Sequence, residues 1–178
     1  MTRSVHRAWI PALLVLFAFV QGEAAPDPYE NLGLMRPAKR TGAREFALPG
    51  PQGSTVRLRD FKGQVVLLNF WATWCPPCLE EMPAMEKLYQ RYKPQGFSVL
   101  ALSVDTEGEK AVTPFIQEHK LTFPVAYDTT GKVADLYQLR GLPTTYLINR
   151  EGQIIAIALG PRAWNSPDAQ TFIESLLK

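Results

Sequence analysis

Cysteine and histidine are scarce in this chain of 178 residues, which has two of each. A tetrahedral zinc site needs four ligands, and the only cysteines are Cys75 and Cys78. The histidines are His6 and His119, and His6 lies in a segment with the features of an export signal. A covalent c-type haem site needs a histidine directly after the second cysteine, where this chain has Leu79. The sequence therefore predicts no metal site and no cofactor.

The apolar run near the N-terminus is too short for a membrane-spanning helix. It covers residues 8–20, about 13 residues, whereas a spanning helix needs about 20. Arg3 and Arg7 precede the run, and the small residues of 22–24 follow it at the positions that a signal peptidase reads. We expect residues 1–24 to be an export signal cleaved after Ala24, with retention as a membrane anchor as the alternative. No cysteine lies near this site, which excludes a lipid-modified N-terminus.

The chain also lacks a strong excess of either charge. Lysine and arginine number 19 against 17 acidic residues, and the two signs are scattered along the chain. Nucleic-acid binding would need a basic stripe with interleaved aromatic residues, so the sequence does not predict it. With 46% hydrophobic and 20% charged residues, the composition is that of one globular domain with a real core.

The order of apolar runs predicts an α/β domain over residues 42–178. Residues 25–41 contain three prolines, mixed charge and no apolar period, so we interpret them as a linker. Residues 65–71 form a near-continuous apolar run, typical of a central strand that is covered on both faces. Strands and helices then alternate, which predicts parallel strands with crossover helices, and residues 144–148 and 154–159 predict an antiparallel hairpin. The other predicted elements are a hairpin at 46–48 and 55–58, helices at 76–92, 108–120 and 132–137, strands at 97–104 and 125–128, and a final helix capped by Ser166 with Pro167 at its first position.

The two cysteines form a Cys-x-x-Cys motif between the central strand and the helix that follows it. A structural disulfide stabilises mainly by closing a long loop in the unfolded chain, and a bridge between Cys75 and Cys78 closes a very short one. Thiol exchange needs an attacking thiolate and a nearby second thiol, and this motif at a helix start supplies both. The motif therefore predicts a redox function.

The spacing around the motif assigns separate roles to its members. Cys78 lies one turn inside the helix, which suits it to resolve a mixed disulfide that Cys75 has formed. Glu81 lies three residues further on the same helical face, where a partly buried carboxylate of raised pKa could accept the Cys78 proton. The alternative is a solvated acid, a role that we assign to Glu80. Pro76 and Pro77 lack amide protons that could stabilise a Cys75 thiolate, and limited stabilisation of the reduced form favours a reductant.

These motifs together resemble the thioredoxin superfamily. The segment from Phe70 to Cys78 reads Phe-Trp-Ala-Thr-Trp-Cys-Pro-Pro-Cys. Residues 141–144, Gly-Leu-Pro-Thr, stand before the second predicted hairpin. Within the superfamily the chain most resembles exported TlpA/ResA-like disulfide reductases. That resemblance depends on Cys-x-x-Cys-x-x-Glu-Met-Pro ending at Pro83, on the strand-helix insertion between Val104 and Tyr127, and on the N-terminal hairpin. It covers residues 43–178 and implies a three-layer thioredoxin-like fold with a central mixed sheet.

The resemblance also implies a substrate-binding surface around the cysteines. Pro143 matches the cis-proline that faces the cysteines in this family, where the preceding backbone, here Leu142, pairs with an extended substrate peptide. Trp74 would add apolar surface beside Cys75. Asn69 stands where thioredoxin has a buried acid, and in the TlpA/ResA-like branch the residue matching Glu81 takes that role.

By resemblance, the protein is an exported reductase of protein disulfides in the periplasm or another extracytoplasmic compartment. A membrane electron carrier of the DsbD or CcdA type would recharge it, and apocytochrome c is a candidate substrate. A disulfide oxidase or isomerase could use the same site and would differ in redox poise. A thiol peroxidase is less favoured, because peroxiredoxin-like Pro-x-x-x-Thr-x-x-Cys is not matched by Leu68 and Thr73. A non-enzymatic module that binds peptides at the edge of residues 142–144 is the remaining alternative.

Overall fold

A computed structural model describes residues 27–178 of the chain. The predicted export signal at 1–24 lies outside these residues. Within them, no helix combines the length and apolar character needed to cross a membrane. The strands are β1 Thr41–Gly42, β2 Ala47–Pro49, β3 Thr55–Arg57, β4 Val65–Trp71, β5 Phe97–Ser103, β6 Val125–Tyr127, β7 Thr144–Ile148 and β8 Gln153–Leu159. The helices are α1 Pro28–Asn31, α2 Pro76–Tyr92, α3 Glu109–Glu118, α4 Lys132–Leu136 and α5 Pro167–Leu177.

The central sheet is mixed, as predicted, and has the strand order β1-β8-β7-β4-β5-β6. Strands β4, β5 and β6 are parallel, whereas β7 pairs antiparallel with both β4 and β8. Every residue of β4 is buried, in agreement with its continuous apolar sequence. Because β4 lies in the middle of the sheet, the helix that follows it starts at the centre of one sheet edge.

Helices cover both faces of this sheet and give the three layers. Alternate β4 residues point to opposite faces: Val65 and Leu67 pack with α2 and α5, and Val66 and Leu68 pack with α4. Ser166 caps α5 through a hydrogen bond from the Ala169 amide, as the sequence predicted. The predicted insertion is present as α3 and β6.

The predicted N-terminal hairpin is present as strands β2 and β3, which form a separate two-stranded sheet. Phe46 and Leu58 at its base are buried with the residues of the α4 face. The hairpin contacts β6, the strand at one edge of the central sheet.

The linker predicted at residues 25–41 is wrong for much of its length. Asp27 caps the short helix α1 through a hydrogen bond from the Tyr29 amide, and Leu32 and Leu34 are buried in the core. Met35 pairs with Ile157 of β8, and its chain then continues to β1, which pairs with the same strand. The segment has three prolines and no apolar period, so its sequence does not indicate burial. Its apolar side chains become buried only against other parts of the folded domain. We refer to residues 27–36 as the N-terminal segment.

Candidate active site

The two cysteines lie where β4 ends and α2 begins. Cys75 is the N-cap residue of α2, and Pro76 and Pro77 occupy the first helical positions, where a missing amide proton costs little. Cys75 and Cys78 form a disulfide with their Cα atoms 5.3 Å apart. The Cys78 amide, 3.0 Å from the Cys75 carbonyl oxygen, donates to it. The structure thus shows the oxidised form of the pair.

The two sulfur-bearing residues differ in access to solvent. The exposed fraction of Cys75 is 6%, whereas Cys78 is completely buried. Cys78 is therefore the more deeply buried of the two cysteines, in agreement with its position one turn inside α2. Trp74, directly before Cys75, is 68% exposed although it is a large aromatic residue.

Glu81 is buried on the same face of α2 as Cys78. Its carboxylate accepts hydrogen bonds from the Asn69 side-chain amide at 2.9 Å, the Arg162 backbone amide at 3.1 Å and the Trp164 indole at 3.0 Å. Burial raises the pKa of Glu81 to about 7, and the three donors and the Arg162 charge oppose that rise. The carboxyl group can therefore exchange a proton near neutral pH. Glu80, by contrast, is exposed.

Two of the donors to Glu81 come from the loop between β8 and α5, and sequence reasoning missed both. Arg162 and Trp164 stand 81 and 83 positions from Glu81 along the chain. Trp164 is completely buried, and its indole nitrogen needs a partner there. A tryptophan in a short polar loop indicates that a buried hydrogen-bond partner is needed. The neighbouring sequence does not indicate that this partner is Glu81, 83 positions away.

Asn69 links Glu81 to the central sheet. Its side-chain amide donates to Glu81 and also to the Thr145 hydroxyl at 2.9 Å. Thr145 lies opposite Asn69 on the neighbouring strand β7. Asn69 therefore satisfies hydrogen bonds within the sheet and also orients the buried carboxylate.

The loop before β7 approaches the cysteine loop from the neighbouring strand. The peptide bond between Leu142 and Pro143 is cis, as the resemblance implied. Phe70 pairs with Thr144, so Pro143 lies beside the end of β4 from which the cysteine loop departs. Leu142 is half-buried against the cluster that contains both cysteines. Its backbone amide and carbonyl make no hydrogen bond among residues 27–178, so both can pair with another chain.

Comparison with known proteins agrees with this geometry. Residues 40–157 match the AhpC/TSA family. The chain belongs to the AhpC/TSA family. It is 50% identical over 107 residues to the thiol-disulfide oxidoreductase ResA of Oceanobacillus iheyensis, an alignment that covers 60% of this chain and 55% of that protein. It is 42% identical over 134 residues to ResA of Halalkalibacterium halodurans, covering 74% of this chain and 76% of that protein.

A solved structure gives the same answer for the fold. The thiol:disulfide interchange protein DsbE of Chlorobium tepidum aligns with a TM-score of 0.73 and 36% identity, covering 79% of this chain and 98% of that one. The predicted thioredoxin-like fold and the resemblance to TlpA/ResA-like proteins are confirmed. This AhpC/TSA family member is a thiol-disulfide oxidoreductase of the thioredoxin type.

A buried acid that sequence reasoning missed holds the loop between β4 and Cys75. The Asp105 carboxylate accepts hydrogen bonds from the Thr73 amide at 3.0 Å and the Thr73 hydroxyl at 2.6 Å. The Ser103 hydroxyl donates to the same carboxylate at 2.7 Å. Asp105 therefore fixes the backbone directly before Trp74. The Thr73 hydroxyl, which donates to Asp105, belongs to the only threonine between β4 and Cys75 that could act like the threonine of the peroxiredoxin motif.

Relative to Glu81→Gln, we expect the stability of the oxidised protein to fall as the pH rises from about 4.5 to about 7. The pKa of Glu81 is about 7 in the folded state against an ordinary 4.5, so the folded state holds this proton more tightly. The stabilisation is fully present below about pH 4.5 and is lost as the pH rises through about 7. It amounts to about 3 kcal/mol.

Urea unfolding of both disulfide-bonded proteins between pH 4 and 8 measures this difference. The glutamine variant does not titrate, so it removes the contributions of all other groups from the comparison. Parallel stability curves for the two proteins would show that the Glu81 carboxyl ionises normally despite its burial.

Proposed function

We propose that this protein reduces protein disulfides outside the cytoplasm, with Cys75 as nucleophile, Cys78 as resolving thiol and Glu81 as proton acceptor. The observation that carries the proposal is the Cys75–Cys78 pair at the start of α2, one helical turn from a buried carboxyl group whose pKa is about 7. A structural disulfide does not need a proton acceptor beside it. A thiol that must lose its proton at neutral pH needs one, and a carboxyl group with a pKa of about 7 can serve.

The reaction proceeds by two thiol exchanges. In the reduced enzyme the Cys75 thiolate attacks one sulfur of the substrate disulfide, forms a mixed disulfide and releases one substrate thiolate, which takes a proton from water. The Cys78 thiol then gives its proton to the Glu81 carboxylate. The Cys78 thiolate attacks the Cys75 sulfur and releases the second substrate thiolate. Two electrons have passed to the substrate, and the enzyme is left with its Cys75–Cys78 disulfide.

The substrate is a protein segment that can lie extended beside the cysteines. The unpaired backbone groups of Leu142 support pairing with such a segment, since main-chain hydrogen bonds recognise extended peptides of any sequence. The exposed Trp74 ring supports apolar contact next to the attacking sulfur. Pro143 holds the loop that presents Leu142.

The redox direction follows from how weakly the Cys75 thiolate is stabilised. A strong oxidant needs a much stabilised reduced form. Two of the three helix-start residues that could donate an amide proton to Cys75 are prolines, and the third, Cys78, donates to the Cys75 carbonyl. No histidine or lysine lies between the cysteines. These features favour a reductant over an oxidase.

An extracytoplasmic reductant needs a supply of electrons and a defined set of substrates. We propose residues 1–24 as the export signal or membrane anchor, and a membrane electron carrier of the DsbD or CcdA type as the donor. Apocytochrome c, whose haem-attachment thiols must be reduced before ligation, is the proposed substrate. The names of the ResA and DsbE relatives support an assignment to disulfide exchange.

The reduction potential of the Cys75–Cys78 couple tests the direction. We expect a value below roughly −220 mV after equilibration with defined thiol buffers at pH 7. The matched measurement on a Cys75→Ala, Cys78→Ala variant should show no redox transition. A potential near roughly −120 mV would overturn the reductase and make the protein a disulfide-forming enzyme.

A further inference from the structure

The Arg162 side chain connects the N-terminal segment with the loop between β8 and α5. Its guanidinium group donates to two backbone carbonyls of the N-terminal segment, at Leu32 with 2.6 Å and at Gly33 with 2.8 Å. It also donates to the carbonyls of the three residues directly before it. These are Leu159 at 3.1 Å, Gly160 at 3.2 Å and Pro161 at 2.8 Å. An arginine fork is suited to such multiple bonding because its donors are planar and fixed.

The loop that Arg162 holds is the one that supplies Glu81 with donors. The Arg162 backbone amide and the Trp164 indole both donate to the same carboxylate oxygen, Oε2. The Trp164 amide in turn donates to the Arg162 carbonyl at 2.9 Å. A shift of this loop would therefore remove two of the three hydrogen bonds to Glu81 together.

The same loop touches the substrate-binding side of the site. The Gly160 amide donates to the Pro143 carbonyl at 2.8 Å. Gly160 adopts φ of +83°, a left-handed conformation that favours glycine. The loop thus contacts both the buried acid and the proline loop.

The N-terminal segment is a firm support for this loop. The Tyr29 ring packs edge-on against Phe172 of α5, with ring centroids 4.9 Å apart. Leu32 and Leu34 are buried, and Met35 exchanges two backbone hydrogen bonds with Ile157 of β8. The carbonyls that Arg162 binds are therefore held in place by packing on both sides.

We propose that Arg162 is a positioning residue for proton transfer: it fastens the 159–164 loop to the N-terminal segment and so keeps two hydrogen-bond donors on Glu81. The role in catalysis rests on the proposed function of Glu81, whereas the effect on the carboxyl group itself does not. Glu81 is faced by Asn69 from β4 and by Arg162 and Trp164 from the loop, and Cys78 lies one helical turn before it on α2. Of these groups in residues 27–178, the Arg162 guanidinium carries the charge that acts on Glu81.

The Glu81 carboxyl group can be titrated directly in the oxidised full-length protein by carbon-13 NMR, since the disulfide itself does not titrate. Arg162→Ala is expected to raise the Glu81 pKa by about one unit, the effect of losing about one hydrogen bond to a charged group. Arg150→Ala is the matched control. Arg150 likewise donates to three backbone carbonyls, those of Gly63, Gln95 and Leu177, but makes no contact with Glu81. It should leave the titration unchanged.

The Arg162→Lys variant distinguishes the effect of the guanidinium hydrogen bonds, here called bracing, from the effect of the positive charge on Glu81. Lysine keeps the positive charge but lacks the fork, so its titration should resemble that of Arg162→Ala if bracing is responsible. A lysine variant that titrates like the wild type would overturn the bracing role, as would an alanine variant whose Glu81 pKa equals that of Arg150→Ala. The lysine variant also keeps the test decisive if the alanine variant does not fold.

A second readout distinguishes this proposal from the proposed function. In single-turnover reduction of a disulfide peptide, the pH midpoint of the rate should move upward in Arg162→Ala by the same amount as the Glu81 pKa. A moved titration with an unmoved rate profile would leave the bracing intact and reject Glu81 as the proton acceptor.

Discussion

A Cys78→Ala variant is expected to accumulate as a covalent mixed disulfide with its substrate. Cys75 is the cysteine that solvent reaches, so the variant can still attack, but it has no second thiol to release the product. Turnover should fall to the uncatalysed level. The adduct is measured by intact-mass spectrometry after mixing the reduced variant with a disulfide-bonded peptide.

The Cys75→Ala variant is the matched control for this experiment. It has the same number of thiols as Cys78→Ala, but its remaining sulfur is fully buried, so it should form no adduct. An adduct on Cys78 in preference to Cys75 would reverse the two assigned roles. A double variant that keeps full biological activity would instead support a peptide-binding module whose cysteines are incidental.

The Glu81→Gln variant is expected to resolve its mixed disulfide about 10²-fold more slowly than the wild type. Glutamine cannot accept the Cys78 proton, although it retains the shape of the side chain. The pH dependence should change as well. In the wild type the rate rises as the pH passes through about 7, because only the ionised carboxylate accepts a proton. That rise should be missing from the variant.

Stopped-flow measurement of the second thiol exchange between pH 5 and 9 gives both quantities. Glu80→Gln is the control, because it removes the same charge from the neighbouring, exposed position of α2. It should leave the rate and its pH midpoint unchanged. Equal effects of the two substitutions would mean that the net negative charge of the helix, and not a buried proton acceptor, matters for resolution.

Much of the central site was predictable because its residues are neighbours in the chain. Cys75, Cys78 and Glu81 follow one another at intervals of three, and helical geometry alone places Cys78 and Glu81 on one face of α2 with Cys75 at its N-cap. The separation of a buried Glu81 from an exposed Glu80 follows from the same geometry. The cis bond before Pro143 was implied by the resemblance, and spacing alone could not have indicated it.

The prediction failed where apolar residues lack a period of their own. Residues 25–41 were interpreted as a linker, yet Leu32 and Leu34 are buried and Met35 pairs with β8. Such a short segment is stabilised by the surface that it covers, since a helix of one turn is not stable alone. Its packing partners, Phe172 and Ile157, come from more than a hundred residues later in the chain.

The sequence by itself determined the fold class, the order of strands and helices from β2 onward, the redox pair and the acid beside it, because these depend on local periodicity and on spacing within one helix. Tertiary structure alone decided what surrounds that acid. Asn69 comes from β4, and Arg162 and Trp164 come from a loop at the far end of the chain. Whether Glu81 ionises near pH 4.5 or near pH 7 depends on burial and on those donors, and both arise only when the sheet, α2 and the N-terminal segment have come together.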